Sequence, residues 1–418
     1  MQFNNLSEWI KYVESVHTAE IELGLDRVGT VAERLNLLQL DCPVIIIGGT
    51  NGKGSCVAGL EAIYMAAGYK VAAFTSPYLI RLNEEVRINR EEATDQDLCA
   101  AFEKIEAVRG DVALTVFEYK TLAALSIFKQ SQPDVILLEV GLGGRLDAVN
   151  ILNADVAIVS SVAIDHADRL GATRELISRE KAGIFRAGKP AVCGDYFPPR
   201  PLLQYAHSEN VPLFCQGEDF SFHQEEEESD WGWQSKKTRY MNLPLPKLLL
   251  QNMSTVLMAI ELLQEKLPVA RAAIDTAFAT VTLPGRMEVL PGNVTRIFDV
   301  SHNPAAAELL AEKLKSLPCA GKTHVVFSML ADKDIVGTVR MIKESVDEWY
   351  IAALPVKRGT PVDILEEALA KADVKNIKSY RDVSHAYHAA MDEAKIGDRI
   401  VVFGSFYTVA AVMANVKE

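Results

Sequence analysis

Apolar residues follow two alternating rhythms along the first half of the chain. Short continuous runs, "PVIIIGG" (43–49), "KVAAFTS" (70–76), "PDVILLEVG" (133–141) and "ADVAIVSS" (154–161), have the length of strands. A strand without polar alternation is buried on both faces, as in parallel sheets covered by helices. Helical patterns lie between these runs. "KGSCVAGLEAIYMAAG" (53–68) sets Val57, Leu60, Ile63, Tyr64 and Ala67 on one face, with Gly68 as its stop. The alternation predicts an α/β fold with a mostly parallel sheet flanked by helices.

The rhythm fades over residues 194–250, where "HQEEEESDWGWQSKK" reads as a solvated hairpin or loop. It resumes at "NMSTVLMAIELLQEKL", an amphipathic helix with Met253, Val256, Leu257, Ile260 and Leu263 on one face. After "LPGR" (283–286), "VTRIFDV", "HVVFSML", "EWYIAAL" and "RIVVFGSF" are strands separated by helical segments. This predicts a second, smaller α/β domain of Rossmann-like type. The boundary is expected near residues 284–292, dividing the 418 residues into domains of 1–285 and 286–418.

Composition narrows the function classes. A net charge of −13 argues against nucleic acid, which calls for a basic face, but leaves room for a small anionic ligand in a local positive cleft. No apolar run reaches membrane-spanning length, and the first residues lack the basic-then-apolar order of a signal peptide. The cysteines at 42, 56, 99, 193, 215 and 319 contain no C-x-x-C pair, which suits a reducing compartment. A cytoplasmic, monomeric protein without a redox cofactor is expected.

The candidate chemistry starts at "IIIGGTNGKGSC" (45–56). A strand, close glycines, a lysine, a hydroxyl and a helix follow one another, the context of a P-loop-type phosphate site. The common loop reads G-x-x-x-x-G-K-[ST], whereas here Gly54 separates Lys53 from Ser55. Lys53 would reach the phosphates, and Ser55 or Thr50 would serve phosphate or metal.

Three further stretches follow strands, at the carboxyl edge where such sheets bind ligands. They carry Thr75 and Ser76, then Glu139, Arg145 and Asp147, then Asp165 and His166. Ser76 and Glu139 suit Mg²⁺, which prefers oxygen donors. Taken alone, His166 reads as a core or hydrogen-bonding histidine, and Lys181 as a helix-surface lysine. The pair His385 and His388 reads as surface.

"GTNGKGS", "TSPYL", "FEYKTLAAL", "LLEVGLGGRLDAVN", "AIDHADRLG", "REKAGIFRAGKP", "LPGR" and "FDVSHNP" stand in the order found in folylpolyglutamate synthases. The chain resembles that family, within the Mur ligase superfamily, over nearly its whole length, and looks most like its bifunctional dihydrofolate synthase/folylpolyglutamate synthase members. The loop spacing that departs from the common P-loop is similar to the superfamily's own.

The resemblance implies an ATP-dependent ligase. ATP phosphorylates a carboxylate, and the amine of L-glutamate attacks the acyl phosphate. The acceptors implied are 7,8-dihydropteroate and tetrahydrofolate, with Mg²⁺, as two ions, the metal. Thr50, Asn51, Gly52, Lys53, Gly54 and Ser55 would hold the nucleotide, with Asn252, Arg286 and Asp299, the last two across the domain boundary. Ser76, Glu139 and His166 would hold metal. Lys181 matches a lysine carbamylated in the family, which would make it a further ligand. His302 would lie near the nucleotide. Glu22, Leu23, Gly24 and Leu25 would cover the pterin substrate, together with Phe117, Glu118, Tyr119 and Lys120, and with Leu146, Asp147 and Ala148. Phe117 and Tyr119 are candidates for a stackable wall, with core packing an equal reading.

Two other functions compete: a Mur-type ligase acting on a cell-wall precursor, and a nucleotide-dependent switch. The "IELGLDR" and "FEYKTL" stretches favour folate over the first, and "FDVSHNP" in the second domain opposes the switch.

Overall fold

The computed structural model describes residues 3, 5–17, 19, 21–224 and 230–416. The chain divides into two compact units, Met1–Ala163 with Leu170–Val281, and Ile164–Arg169 with Thr282–Glu418.

The first unit is built on eight strands, β1 (Val44–Gly48), β2 (Val71–Phe74), β3 (Val86–Ile88), β4 (Glu91–Glu92), β5 (Val135–Glu139), β6 (Val156–Val159), β7 (Ala191–Cys193) and β8 (Leu213–Cys215). Their order is β4-β3-β2-β5-β1-β6-β7-β8. From β2 to β8 all neighbours are parallel, and β3 and β4 close one edge antiparallel. The four apolar runs are thus adjacent central strands. Ile47 of β1 stands in register with Glu139 on one side and Ile158 on the other.

The helix Lys53–Ala66 is buried all round from Ser55 to Tyr64, not on one face as its sequence suggests. The sheet covers one side, and the helices Leu250–Leu262 and Arg271–Thr280 cover the rest. Gly59 allows the closest approach, since a Cβ there would lie 2.8 Å from Met253 Cε.

The helix Leu250–Leu262 is likewise buried throughout Asn252–Ile260, which corrects the amphipathic reading. Its second cover is an antiparallel sheet of β9 (Phe220–His223), β10 (Asp230–Ser235) and β11 (Arg239–Pro244). Trp231 and Trp233 of β10 are 1% and 0% exposed, so this stretch is not the solvated hairpin its charges suggest. The Trp233 indole N–H donates to Ser254 O at 3.2 Å, and Ser254 Oγ donates to Gln216 at 2.8 Å. These bonds satisfy the polar face of the helix inside the core. Residues 225–229, which include the acidic run 225–228, lie outside the described residues.

The second unit holds β12 (Glu288–Leu290), β13 (Thr295–Asp299), β14 (Thr323–Phe327), β15 (Glu348–Ala352), β16 (Ile377–Tyr380) and β17 (Arg399–Phe403). Their order is β12-β13-β17-β14-β15-β16, parallel except for the edge strand β12. Strands β12 and β16, short and only partly buried, are absent from the sequence reading. Among the described residues no helix is long and apolar enough to cross a membrane.

Candidate active site

Strands β2, β5, β1 and β6 are neighbours and parallel, so their carboxyl ends share one edge of the sheet. Chain order then sets Ser76 after β2, Glu139 at the end of β5, the loop 49–52 after β1, and Ser160 and Ser161 after β6. This is the edge at which open α/β sheets bind ligands.

The loop is tied down on both sides. Thr50 N donates to Ser161 O at 2.8 Å, and Asn51 N to Ser161 Oγ at 3.0 Å. Ser160 Oγ donates to Asn51 O at 2.7 Å. Thr50 Oγ1 donates to Ala163 O at 3.1 Å and accepts from Ala163 N at 3.0 Å, so this hydroxyl is used in fixing the loop. Gly52 is the helix N-cap at φ 86°, where no side chain caps the first-turn amides. Uncapped amides at the start of a long helix suit an anion. A Cβ on Gly52 would meet Asn252 Oδ1 at 2.4 Å, so only glycine admits this contact. Lys53, Gly54 and Ser55 form the first turn of the helix, and Lys53 Nζ folds back onto Thr50 O at 3.2 Å.

Glu139 is buried at the end of β5, where its charge, after burial itself, helps to push the Cys56 thiol well up. Among the described residues no three His, Cys, Asp or Glu side chains form a metal-binding group. The donors offered in this unit are the Ser76 hydroxyl and the Glu139 carboxylate on neighbouring strand ends. They fit Mg²⁺, which takes few protein oxygens and completes its shell with phosphate and water.

Lys181 is 3% exposed on the helix Arg174–Ala182, which overturns its reading as a surface lysine. The glycines after β5 explain the burial. A Cβ on Gly144 would lie 2.8 Å from Glu180 O and 3.2 Å from Lys181 Cα. Arg145 N donates to Glu180 O at 2.7 Å, and Asn150 Nδ2 to Gly183 O at 3.0 Å. The "GLGGR" turn therefore clasps the "REKAG" helix. Arg186 spends its guanidinium on Asn150, Leu152 and other carbonyls.

The three stretches expected to hold the pterin meet. Gly24 N donates to Leu146 O at 3.2 Å. Arg27 joins Glu22 at 2.5 Å and Glu118 at 3.2 Å. Leu23 and Leu25 are half-buried and Ala148 buried. Asp147 caps the short turn Ala148–Ile151 and accepts from Leu142 N at 2.8 Å and Val149 N at 3.1 Å. Burial pushes its carboxyl up to about 6, against the pull of those amides and of the Lys53 charge nearby.

Tyr119 is 0% exposed and its hydroxyl bonds Glu106 at 2.7 Å, so its ring belongs to the core and forms no open wall. Phe117 remains half-buried, with its ring against Gly141, where a Cβ would lie 2.7 Å away. Lys120 is paired with Glu85 at 3.0 Å.

In the second unit, Asp299 Oδ2 accepts from Met287 N at 2.9 Å, and Oδ1 accepts from Ser301 N at 2.9 Å and from Ser301 Oγ. Arg286 lies over the Phe406 ring at 4.8 Å, and the His302 ring is 6.3 Å from it. Asp165 gathers Lys333 at 2.5 Å, His302 Nε2 at 3.3 Å and Asn303 Nδ2 at 3.3 Å. Burial would raise the Asp165 carboxyl; the His302 hydrogen bond and the charges of His302, Lys333 and His166 outweigh it and hold it well below the usual range. Lys333 Nζ is also 3.1 Å from His166 Nε2. His385 and His388 are exposed, as the sequence suggests.

Sequence reasoning missed Ser160, Ser161, Arg27, Lys333 and Phe406. Four of them follow a strand on the parallel edge, which was a usable signal: the serines after β6, Lys333 after β14, and Phe406 after β17.

Residues 285–406 match the model of the Mur ligase glutamate ligase domain. The dihydrofolate synthase/folylpolyglutamate synthase of Escherichia coli is 45% identical over 98% of this chain and 94% of its own length. The structure of E. coli FolC in complex with DHPP and ADP superposes with a TM-score of 0.95 at 44% identity, covering 99% of this chain and 98% of that one. A bifunctional folylpolyglutamate synthase/dihydrofolate synthase with Mn, AMPPNP and L-glutamate bound gives a TM-score of 0.93 at 42% identity, covering 99% and 98%. By its sequence and its fold, the chain belongs to the dihydrofolate synthase/folylpolyglutamate synthase family of Mur-type ligases.

Proposed function

We propose that this chain is an ATP-dependent ligase that joins L-glutamate to 7,8-dihydropteroate, making dihydrofolate, and to tetrahydrofolate, extending its glutamate tail. The observation that carries the reading is one sheet edge. It holds an uncapped glycine-lysine loop packed on Asn252, flanked by Ser76 and Glu139, with the Gly24–Leu146 and Arg27–Glu118 clasp in the same unit.

The γ-phosphoryl group of ATP passes to the substrate carboxylate, with ADP leaving. The glutamate amine then attacks the acyl carbon, and phosphate leaves as the amide forms. Lys53 and the first amides of the helix Lys53–Ala66 meet the negative charge of the phosphates. Asn252 supports the loop at Gly52 and contacts the nucleotide. Ser76 and Glu139, with His166, are the residues we assign to Mg²⁺, which supplies charge compensation for phosphoryl transfer when bound. Lys181, in its carbamylated form, would add an anionic oxygen donor; its burial beside the glycine-rich turn supports this. Glu22–Leu25, Phe117, Glu118, Lys120 and Leu146–Ala148 are assigned to the pteroate, with Phe117 the ring available for stacking. Arg286 and Asp299 are assigned to the nucleotide, and His302 to the reaction. Residues 1–285 form the ATP- and folate-binding domain in this reading, and 286–418 the glutamate-ligase domain. The chain acts in the cytoplasm, in keeping with its six free cysteines.

Product formation from 7,8-dihydropteroate and from tetrahydrofolate, measured side by side with L-glutamate and ATP, tests the proposal. Both should yield glutamylated product, and phosphate release should require glutamate together with a pteroate or folate. Phosphate release from ATP alone at the full rate identifies a nucleotide switch instead.

A further inference from the structure

We propose that Arg27 is the positioning residue that holds the pteroate-covering segment, residues 22–25, in place. The inference rests on the pteroate-site reading above and adds to it a residue that makes the segment rigid.

Arg27 sits in the first turn of the helix Asp26–Arg34, just after the segment. Its guanidinium is shared among three acceptor groups, the carboxylate and carbonyl of Glu22 and the carboxylate of Glu118. Nη1 meets Glu22 Oε1 at 2.5 Å, and Nη2 donates to Glu22 O at 2.8 Å. Nη2 and Nε face the two carboxylate oxygens of Glu118 at 3.2 and 3.4 Å. One side chain thus binds both the side chain and the main chain of the residue that opens the segment, and ties them to the "FEYK" helix.

Glu118 is a fixed anchor. It is buried, and its Oε2 accepts from Thr115 N at 2.7 Å as one half of a capping box. It therefore cannot follow the segment if the segment moves. The middle of the segment is pinned separately by Gly24 N to Leu146 O. His17 Nε2, 3.0 Å from Glu22, steadies the far side of that carboxylate. The segment is left with its three half-buried positions, Leu23, Gly24 and Leu25, held between two fastenings.

A planar fork is needed for this arrangement. Guanidinium offers donors in several fixed directions, whereas an ammonium is a point charge on a flexible stem. Lysine at this position keeps the charge but cannot serve Glu22 Oε1, Glu22 O and both Glu118 oxygens together. The freed segment must then be ordered when pteroate binds, and that cost appears in the affinity for pteroate alone.

The test compares wild type, R27K and R27A in steady-state assays that vary 7,8-dihydropteroate at saturating ATP, and ATP at saturating dihydropteroate. Thermal melting is followed alongside. In R27K the KM for dihydropteroate is expected to rise about 10- to 100-fold, the scale of one lost charge-assisted hydrogen bond. The KM for ATP and the melting temperature should stay close to wild type. Methylguanidinium added to R27A should lower its KM for dihydropteroate towards the wild-type value. A wild-type KM for dihydropteroate in R27K overturns the inference. So does an equal rise for both substrates with a lowered melting temperature, which assigns Arg27 to stability alone. Wild-type enzyme that turns over no dihydropteroate overturns the site reading itself, and the inference with it.

Discussion

Gly52 and Gly68 bracket the same helix, both at positive φ, 86° and 89°, yet they make opposite predictions. Alanine at either position forces a left-handed residue, at about 1–2 kcal/mol. At Gly68 nothing lies within 4 Å of the new Cβ, so that cost is the whole effect. At Gly52 the Cβ would lie 2.4 Å from Asn252 Oδ1 and 2.9 Å from its Cγ and Nδ2. Asn252 is buried in the first turn of its helix, so it must leave its rotamer, at about 0.5–1.5 kcal/mol more. G52A should therefore lose about 1.5–3.5 kcal/mol of stability against about 1–2 for G68A. The larger difference is in binding. G52A displaces both the loop backbone and Asn252, and AMP-PNP affinity should fall at least about tenfold, one hydrogen bond's worth. G68A should bind AMP-PNP as wild type does. Calorimetric titration of the three proteins, with denaturant melts for stability, decides the matter. Wild-type affinity in G52A, or an equal loss in G68A, refutes the placement of phosphate at this loop.

K53A should keep its fold, since Lys53 is only half-buried in the first turn of its helix, and lose about two to three orders of magnitude in kcat, as when one charge-stabilising donor is removed; a smaller than tenfold loss argues against the assignment. K181A should be nearly inactive, and formate or acetate should restore part of the activity if the lysine acts as a carbamate; rescue by an alkylamine instead points to an ammonium. For Asp147, burial raises the folded carboxyl from 3.8 to about 6, so the folded state holds the proton more tightly than the unfolded chain does. Stability in wild type should then fall, relative to D147N, as pH rises from about 4 to about 6, and the difference should be flat above that. Parallel melting curves of the two proteins across that range contradict the assignment.

The four central strands β2, β5, β1 and β6 were legible because they are continuous apolar runs between glycine and aspartate signals, whereas β3, β4, β7 and β8, two to three residues long, left no such run. The loop 49–55 was legible for the same reason: strand, glycines, lysine and helix follow without a gap. Burial of polar and charged residues was less so. Lys181 looks like a surface lysine on a helix rich in charge, and only the packing of Gly144 against Glu180 and Lys181 shows why it is enclosed. The Trp231–Trp233 pair has strand spacing, but the acidic run before it favoured a solvated reading. Tyr119 reads equally as a wall or a core ring, and its bond to Glu106, 13 residues before it and outside the "FEYK" motif, decides for the core. Contacts such as Gly52 with Asn252, and Asp165 with Lys333, join residues 200 and 168 positions apart (252 minus 52; 333 minus 165), a separation at which no periodicity in one sequence carries a signal.

The central claim, that the substrate carboxylate is activated as an acyl phosphate, has a direct test. 7,8-Dihydropteroate labelled with ¹⁸O in its carboxylate is turned over with ATP and L-glutamate, and the released phosphate is analysed by mass spectrometry. Attack of the amine on the acyl carbon breaks its bond to the bridging carboxylate oxygen, which departs with phosphate, so the phosphate formed should carry a single ¹⁸O atom per amide made. Phosphate free of label, alongside normal amide formation, would contradict the account.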